Sequence, residues 1–154
     1  MKKYLEKQAV FNCTLKILYW LSKWRVTRGF ITIITNILAQ FNLVLNRPKK
    51  NSDINELAQT WKKLMPPDGQ DYYKITEVTE TTAYAEIHLH CPLRGTDDVD
   101  ACYKFMNYDR TLMKKVGASL TVLESQSNSN KNYCKLAIRN FQRTTEDLIP
   151  AHKK

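Results

Sequence analysis

The sequence predicts an α+β fold in which N-terminal helices precede an antiparallel sheet with a long helix packed on it, in the order ααα-ββ-α-ββ. Two observations predict this class. Apolar residues recur at three- and four-residue spacing through the first part of the chain, which indicates helices. Four short segments of the second part are rich in β-branched and aromatic residues, which is typical of strands.

The first helix is predicted in the opening segment, where Phe11, Leu15, Leu18 and then Leu21 or Ser22 share one face. The basic start of the chain resembles that of a signal peptide. Charged and polar residues interrupt the apolar stretch that should follow it, so we expect this segment to belong to the mature protein. No run of about 18 uninterrupted apolar residues exists, which argues against a membrane span.

The second helix is predicted over residues 30–45, with a strand over its β-branched start as the alternative. A third helix is predicted to start at Asp53, which with Glu56 resembles a capping box, and to end before Pro66. Apolar residues of the second helix keep a helical period: Phe30, Ile33, Ile34, Ile37, Leu38, Phe41 and Val44.

The second part is predicted to begin with strands over 72–79 and 82–91. A long helix follows over 97–116, capped by Thr96 or Asp97 and ended by Gly117. Two further strands are expected over 120–124 and 133–139, joined by a polar loop. The polar tail from residue 140 is expected to pack loosely.

A single domain is expected over 1–154, because 154 residues suit one hydrophobic core. It divides into a basic helical part (1–65), a sheet and helix (66–139) and a polar tail (140–154). The first 65 residues hold 12 Lys and Arg against 3 Asp and Glu, a surplus that equals the net charge of +9 of the whole chain. An inference of nucleic-acid binding from charge would therefore concern the first part alone.

The basic first part has three interpretations. Its Lys and Arg can be solvated faces of helices whose aromatic residues are buried, and we favour this over the other two. They can instead attract an anionic membrane surface or hold nucleic-acid phosphates. The apolar 30–45 segment also leaves open a homo-oligomer.

The four cysteines, Cys13, Cys91, Cys102 and Cys134, form no C-x-x-C motif, and a chain of this length needs no disulfides. We therefore expect a reduced, cytoplasmic protein.

Three of these cysteines and one aspartate are predicted to face the interior. Strand alternation places Cys91 and Cys134 on the apolar face of the sheet. Helical periodicity places Cys102 and Asp109 two turns apart on one side of the long helix. If that helix packs on the sheet, the four residues converge on one pocket, where burial would raise the pKa of the Asp109 carboxyl.

Simpler interpretations stand beside this one. Buried cysteines often act as small apolar residues, and a buried aspartate often caps a loop or pairs with an arginine. A metal site built from His88, His90 and the cysteines is disfavoured, because alternation places both histidines on the face opposite Cys91.

The cysteines and aspartate also form part of a sequence pattern. The pattern comprises Cys91-Pro92, then Cys102, Phe105 and Asp109, then Gly117, then residues 133–139. It resembles the L-2-amino-thiazoline-4-carboxylic acid hydrolase family, whose members show a similar C-P … C-x-x-F-x-x-x-D … C-x-F pattern after a helical region. The resemblance covers residues 85–139, with Leu136 at the position of the final aromatic residue.

The resemblance implies hydrolytic opening of a 2-amino-thiazoline ring to N-carbamoyl-cysteine. Water or a cysteine thiolate would attack the amidine carbon between nitrogen and sulfur. Asp109 would be the general base, Cys102, Cys134 or Cys91 could supply the thiolate, and Arg110 or Arg94 would bind the carboxylate of the small-molecule substrate. No metal or organic cofactor is required.

A non-enzymatic alternative is kept open. The same cysteine-lined pocket could belong to a small-molecule or metal sensor that binds its ligand without turnover.

Overall fold

The computed structural model describes residues 13–14, 16–22, 24, 26–65 and 67–154. The fold is α+β, as predicted, with helices before a four-stranded antiparallel sheet and further helix between its two pairs of strands. Residues 13–14 and 16–22 are helical, whereas Phe11 and Leu15 of the predicted first helix lie outside the described residues. The remaining elements are α1 (Arg28–Asn46), α2 (Ile54–Leu64), β1 (Tyr73–Val78), β2 (Thr82–Ile87), α3 (Val99–Phe105), α4 (Asn107–Val116), β3 (Ala118–Glu124) and β4 (Cys134–Asn140), with short 3₁₀ helices over Pro67–Tyr72 and Ala151–Lys153.

The sheet has the strand order β1-β2-β4-β3, and every neighbouring pair is antiparallel. In its centre Ala85 of β2 lies opposite Ile75 on one side and Leu136 on the other. Ala85 and Leu136 are fully buried. Trp61 of α2, also fully buried, packs edge-on against Tyr73, with 5.5 Å between the ring centroids. The core therefore lies between one face of the sheet and the helices.

Strand β2 ends at Ile87, earlier than the predicted 82–91 strand. Beyond it the side-chain amide of Gln126 replaces a partner strand, donating to the carbonyl of Leu89 at 2.8 Å. Cys91 is consequently placed by a loop and not by strand alternation. Its side chain is half-buried and packs against the core.

The predicted 97–116 helix is two successive helices, α3 and α4, divided at Met106. Its cap is Asp98, whose side chain accepts a hydrogen bond from the backbone N–H of Ala101 at 3.0 Å, and not Thr96 or Asp97. Asp97 instead takes a left-handed conformation with φ 60°. The predicted end at Gly117 is confirmed, with φ 101°.

Helix α1 confirms the helix predicted over residues 30–45, and the alternative strand is not formed. The face of α1 that packs on the domain is, however, the one opposite its main apolar stripe. The domain covers the narrow face formed by Ile31, Thr35, Ala39 and Leu43. By length and composition α1 could cross a membrane, and only 22 % of its 18-residue window is buried. The polar residues between Gly29 and Asn46 are Thr, Asn and Gln, so this stretch of the helix carries no charge.

The tail after residue 140 is bound to the domain, unlike the loose segment that its composition predicts. Leu148 and Ala151 are buried. Arg139 of β4, 8 % exposed, donates to Thr82 at 2.6 Å and to the Asp147 carboxylate at 2.6 Å. These bonds fix the start of the tail, which brings its end against β3 and α3 and forms one wall of a cavity.

Candidate functional site

A cavity of about 230 Å³ lies where α3 and α4 meet β3 and the C-terminal tail. Its wall carries a thiol, a hydroxyl, a guanidinium and an imidazole, contributed by Cys102, Ser125, Arg110 and His152. The rest of the wall is largely apolar or aromatic. A small ligand entering it would therefore meet several polar groups on an apolar background, as is usual for binding sites. The full lining is Val99, Cys102, Tyr103, Arg110, Leu120, Thr121, Val122, Ser125, Pro150, Ala151, His152 and Lys153.

Cys102 is positioned by α3 and hydrogen-bonded from the hairpin loop. The Ser125 hydroxyl donates to its sulfur at 3.0 Å, and Ser125 is itself held by a 2.9 Å hydrogen bond with Ser127. Burial raises the pKa of the Cys102 thiol to about 12, while the Ser125 hydrogen bond and the nearby Arg110 oppose the rise. The thiol is therefore neutral at physiological pH, with donors already in place to stabilise a thiolate.

At the cavity both Arg110 and His152 contact the Tyr103 ring. The Arg110 guanidinium lies 3.9 Å from the centroid of the Tyr103 ring, and the His152 ring lies 4.1 Å away from that centroid. Arg110 also donates to the backbone carbonyl of Tyr103 at 2.5 Å. Burial lowers the pKa of His152, and the nearby cations Lys153 and Arg110 lower it further. The imidazole is therefore neutral at physiological pH and able to accept a proton.

Asp109 lies on α4, away from the wall of this cavity. It is 7 % exposed, and the indole N–H of Trp61 donates to one of its carboxylate oxygens at 2.9 Å. Burial raises the pKa of the carboxyl to about 6, although the Trp61 hydrogen bond and the neighbouring Arg110 lower it. Burial and the nearby charge of Asp109 together raise the pKa of Tyr108 to about 12. Asp109 is thus a buried acid that titrates close to neutrality.

Cys91 and Cys134 belong to a network around Gln126, apart from the wall of the cavity. The Gln126 carbonyl oxygen accepts from the Arg94 guanidinium at 2.8 Å and from the backbone N–H of Cys91 at 3.3 Å. The backbone N–H of Gln126 donates to the Cys134 sulfur at 3.4 Å. Burial raises the pKa of Cys91 to about 11 and also raises that of Cys134. Because Arg94 also donates to the carbonyl of Asn132 at 3.0 Å, it holds two loops together.

The predicted site residues are therefore brought together only in part. Cys102 and Arg110 line the cavity, whereas Cys91, Cys134, Asp109 and Arg94 do not. The three thiols are near enough to raise one another's pKa values: Cys134 acts on Cys91 and on Cys102, and Cys91 acts on Cys102. Asp109 in turn raises the pKa of Cys134. The three thiols thus influence one another electrostatically, and Cys102 is the one that lines the cavity.

The histidines of the metal alternative are His88, which bonds on the face of the sheet opposite the helices, and His90, which is exposed. His88 contacts the Glu86 carboxylate at 2.8 Å and stacks near Tyr133, with 5.4 Å between ring centroids. In the part of the chain that the structure describes, no three His, Cys, Asp or Glu side chains are grouped so as to hold a metal ion.

Ser125, Tyr103 and His152 are residues of the cavity that the sequence reasoning did not select. Ser125 begins a polar loop, and His152 lies in a tail that was expected to pack loosely. Neither segment has a periodicity that assigns a side chain to the interior. Tyr103 follows Cys102 directly and lies at the edge of the helical arc that contains Cys102. Helical periodicity could therefore have indicated it.

Comparison with known proteins does not identify a family, since no family model, curated protein or solved structure matches this chain.

Proposed function

We propose that this protein hydrolyses a small cyclic amidine that carries a carboxylate, of the 2-amino-thiazoline-4-carboxylate class, in the cavity beside Cys102. One observation carries the proposal: a single small cavity presents a thiol, a guanidinium and a neutral imidazole. Attack on an amidine carbon requires a nucleophile such as the thiol, and binding of a carboxylate requires a cation such as the guanidinium. Transfer of a proton requires a base such as the imidazole. The C-P … C-x-x-F-x-x-x-D pattern of the sequence supports the same class of substrate.

In this scheme Arg110 binds the carboxylate of the substrate. The guanidinium has five N–H donors, and its hydrogen bond to Tyr103 leaves others for a ligand in the cavity. A carboxylate held there orients the ring with its amidine towards Cys102. The protonated amidine is a cation, and a cation beside the buried thiol lowers the pKa that burial raises. The substrate therefore helps to form the nucleophile that attacks it.

The chemical steps balance without a cofactor. Cys102 sulfur bonds to the amidine carbon, the ring carbon–sulfur bond breaks, and the thiol proton passes through His152 to the released ring sulfur. Water then adds to the same carbon and expels Cys102 as a thiol. The carbon is left doubly bonded to oxygen, as the urea group of N-carbamoyl-cysteine.

Asp109 has a positioning role in this scheme. It does not line the cavity, so His152 takes the place of the general base that the family resemblance implies for Asp109. Its negative charge next to Arg110 favours the charged guanidinium against the cost of burial. Cys91 and Cys134 support the loop that carries Ser125.

Replacement of Arg110 by Gln is expected to raise KM for 2-amino-thiazoline-4-carboxylate by about tenfold to a hundredfold, because a hydrogen bond to a charged group contributes about 1.5–3 kcal/mol. We expect kcat to change less. Steady-state rates of N-carbamoyl-cysteine formation, measured by mass spectrometry, provide the test.

The control substrate is 2-amino-thiazoline without its carboxylate, on which wild type and Arg110→Gln should act equally poorly. The control variant is Arg143→Gln, at an exposed arginine, which should leave KM unchanged. An unchanged KM in Arg110→Gln would remove Arg110 from the substrate site.

A second function is favoured by the neutral state of the thiols. Burial raises the pKa values of Cys91 and Cys102 to about 11 and about 12, which suits a site that binds a ligand without attacking it. A non-enzymatic small-molecule binding module would show saturable binding of the thiazoline by calorimetry, with no product after prolonged incubation. The hydrolase instead forms many product molecules per protein molecule.

We place the protein in the reducing cytoplasm, because all four cysteines are free thiols. Denatured protein prepared without reductant from cytoplasmic expression should contain four titratable thiols per chain. A lower number restored to four by reductant would show a disulfide and argue for an oxidising compartment.

A further inference from the structure

The side of α1 that faces away from the domain is an apolar stripe that no other part of the described chain covers. We call it the outer face, and it consists of Phe30, Ile33, Ile37, Phe41 and Val44. These side chains are between 55 % and 66 % exposed. They recur every three or four residues, so they lie along one side of a helix of 19 residues, about 28 Å long. Soluble proteins rarely leave so continuous an apolar surface in contact with water.

Polar bonds on the opposite side of α1 hold it against the domain along its length. At its start Arg28 donates to Asp98 at 2.5 Å. In the middle Asn107 donates to Thr35 at 3.2 Å. Near its end Asn42 donates to the Tyr108 hydroxyl at 2.6 Å. Because these bonds fix the rotation of the helix, the outer face is turned away from the core, and the helix would have to break them to leave the domain.

Directly after α1 the exposed charges are all basic, whereas at its start Arg28 is paired with Asp98 and Asp100. Between residues 7 and 52 the sequence contains eight Lys and Arg and no Asp or Glu. At the end of α1 the exposed Arg47, Lys49 and Lys50 follow directly. On the other side Lys16 is exposed, and Trp20 and Trp24 are 60 % and 61 % exposed. The stripe itself is uncharged, with basic residues before and after it.

We propose that the outer face of α1 binds the surface of an anionic lipid membrane, with the helix lying in the plane of the interface. Exposed apolar residues would enter the boundary between headgroups and acyl chains, and the flanking lysines and arginines would contact anionic headgroups. Exposed tryptophans next to such a helix suit the same boundary, where aromatic residues are enriched. The hydrogen bonds of Arg28, Asn42 and Asn107 keep the helix on the domain and favour this orientation over one that spans the bilayer.

Charge argues against the other occupants of this face. In a parallel pair of copies joined through α1, Arg47, Lys49 and Lys50 of both copies would lie side by side, which is unfavourable. In an antiparallel pair they would meet the start of the partner helix, where Asp98 and Asp100 are already paired with Arg28. Nucleic-acid phosphates would match the basic ends but leave the apolar stripe between them without a partner.

Vesicle flotation with the full-length protein tests the proposal. We expect binding to vesicles of phosphatidylcholine and phosphatidylserine in a two-to-one ratio to be at least about tenfold stronger than to phosphatidylcholine alone, because each basic residue near an anionic surface adds attraction. High salt should weaken it. Lipids with brominated acyl chains should quench Trp20 and Trp24 but not the buried Trp61.

Two matched pairs of variants separate the apolar and the electrostatic contributions. Phe41→Glu, on the outer face, should reduce binding at least about tenfold, whereas Val78→Glu, at an exposed apolar residue of β1, should not. Lys49→Glu with Lys50→Glu should reduce binding to phosphatidylserine vesicles by at least about thirtyfold, because two basic residues are lost and two repelling carboxylates are added. Lys74→Glu with Lys135→Glu, on the sheet face opposite the helices, should leave it nearly unchanged.

Several results would overturn the proposal. A monomeric protein that binds neither kind of vesicle would show that lipid does not cover the outer face. A dimer that Phe41→Glu dissociates, without vesicle binding, would assign the face to a second copy. Binding to duplex DNA that is insensitive to Phe41→Glu, in the absence of vesicle binding, would assign the basic residues to nucleic acid. Vesicle binding that neither high salt nor competing vesicles reverse would show a spanning helix.

Discussion

Asp109→Asn is expected to stabilise the protein by about 2 kcal/mol at pH 8 and to destabilise it by about 1 kcal/mol below pH 4, where the wild-type carboxyl is protonated and only the cost of the unpaired amide hydrogens remains. Burial raises the pKa of this carboxyl from 3.8 to about 6. Each unit of pKa corresponds to about 1.4 kcal/mol, so ionising the buried group costs the native state about 3 kcal/mol at pH 8. Asparagine can still accept the Trp61 hydrogen bond, but its amide hydrogens lack their own partners, which reduces the gain to about 2 kcal/mol.

The pH dependence has a definite sign. Between pH 4 and pH 6 the native state of the wild type binds more protons than the unfolded state, so its stability falls as the pH rises through that window. Asp109→Asn should lack this component. Urea unfolding at several pH values measures both effects, with Asp71→Asn, at an exposed aspartate, as a control without effect. If Asp109→Asn is no more stable than wild type at pH 8, ionisation of the buried carboxyl does not lower the free energy of unfolding.

Cys102→Ser is expected to lower turnover of 2-amino-thiazoline-4-carboxylate by at least about 10³-fold, because a serine hydroxyl ionises far less readily than a thiol and is a poorer nucleophile. The serine can accept the hydrogen bond from Ser125, so the fold should be kept. In the wild type the rate should rise with pH from neutrality, because the pKa of the Cys102 thiol is about 12 before substrate binds. Initial rates over pH 6–9 measure both effects.

Two other cysteines supply controls for this substitution. Cys13→Ser, at an exposed thiol, should leave turnover unchanged. Cys134→Ser removes a buried thiol that lies outside the cavity wall, so its effect should be on stability more than on kcat. If Cys102→Ser keeps more than a tenth of wild-type turnover, water and not Cys102 is the attacking group.

Helix α1 illustrates what periodicity can and cannot predict. The recurrence of Phe30, Ile33, Ile37 and Phe41 correctly predicts a helix and a coherent apolar face. The domain nevertheless covers the opposite face, where the small Ala39 lies fully buried and polar side chains make specific bonds. Periodicity shows that a face is apolar, but the partner that covers it depends on the arrangement of the whole fold.

The candidate site shows the same division. Helical spacing correctly predicts that Cys102 and Asp109 are both buried. It does not predict that Cys102 faces a cavity while Asp109 bonds to Trp61, because the break at Met106 and the path of the tail decide this. Ser125 and His152 come from a loop and a tail, where the sequence has no regular period. Their approach to Cys102 depends on tertiary contacts such as the binding of Asp147 by Arg139.

The most direct measurement is the number of N-carbamoyl-cysteine molecules formed per molecule of wild-type protein from 2-amino-thiazoline-4-carboxylate, counted by mass spectrometry, beside Cys102→Ser. The proposed mechanism predicts many turnovers for wild type and at least about a 10³-fold lower rate for the variant. Saturable binding of the substrate by wild type without any product would contradict it, and would identify the cavity as a binding site without catalysis.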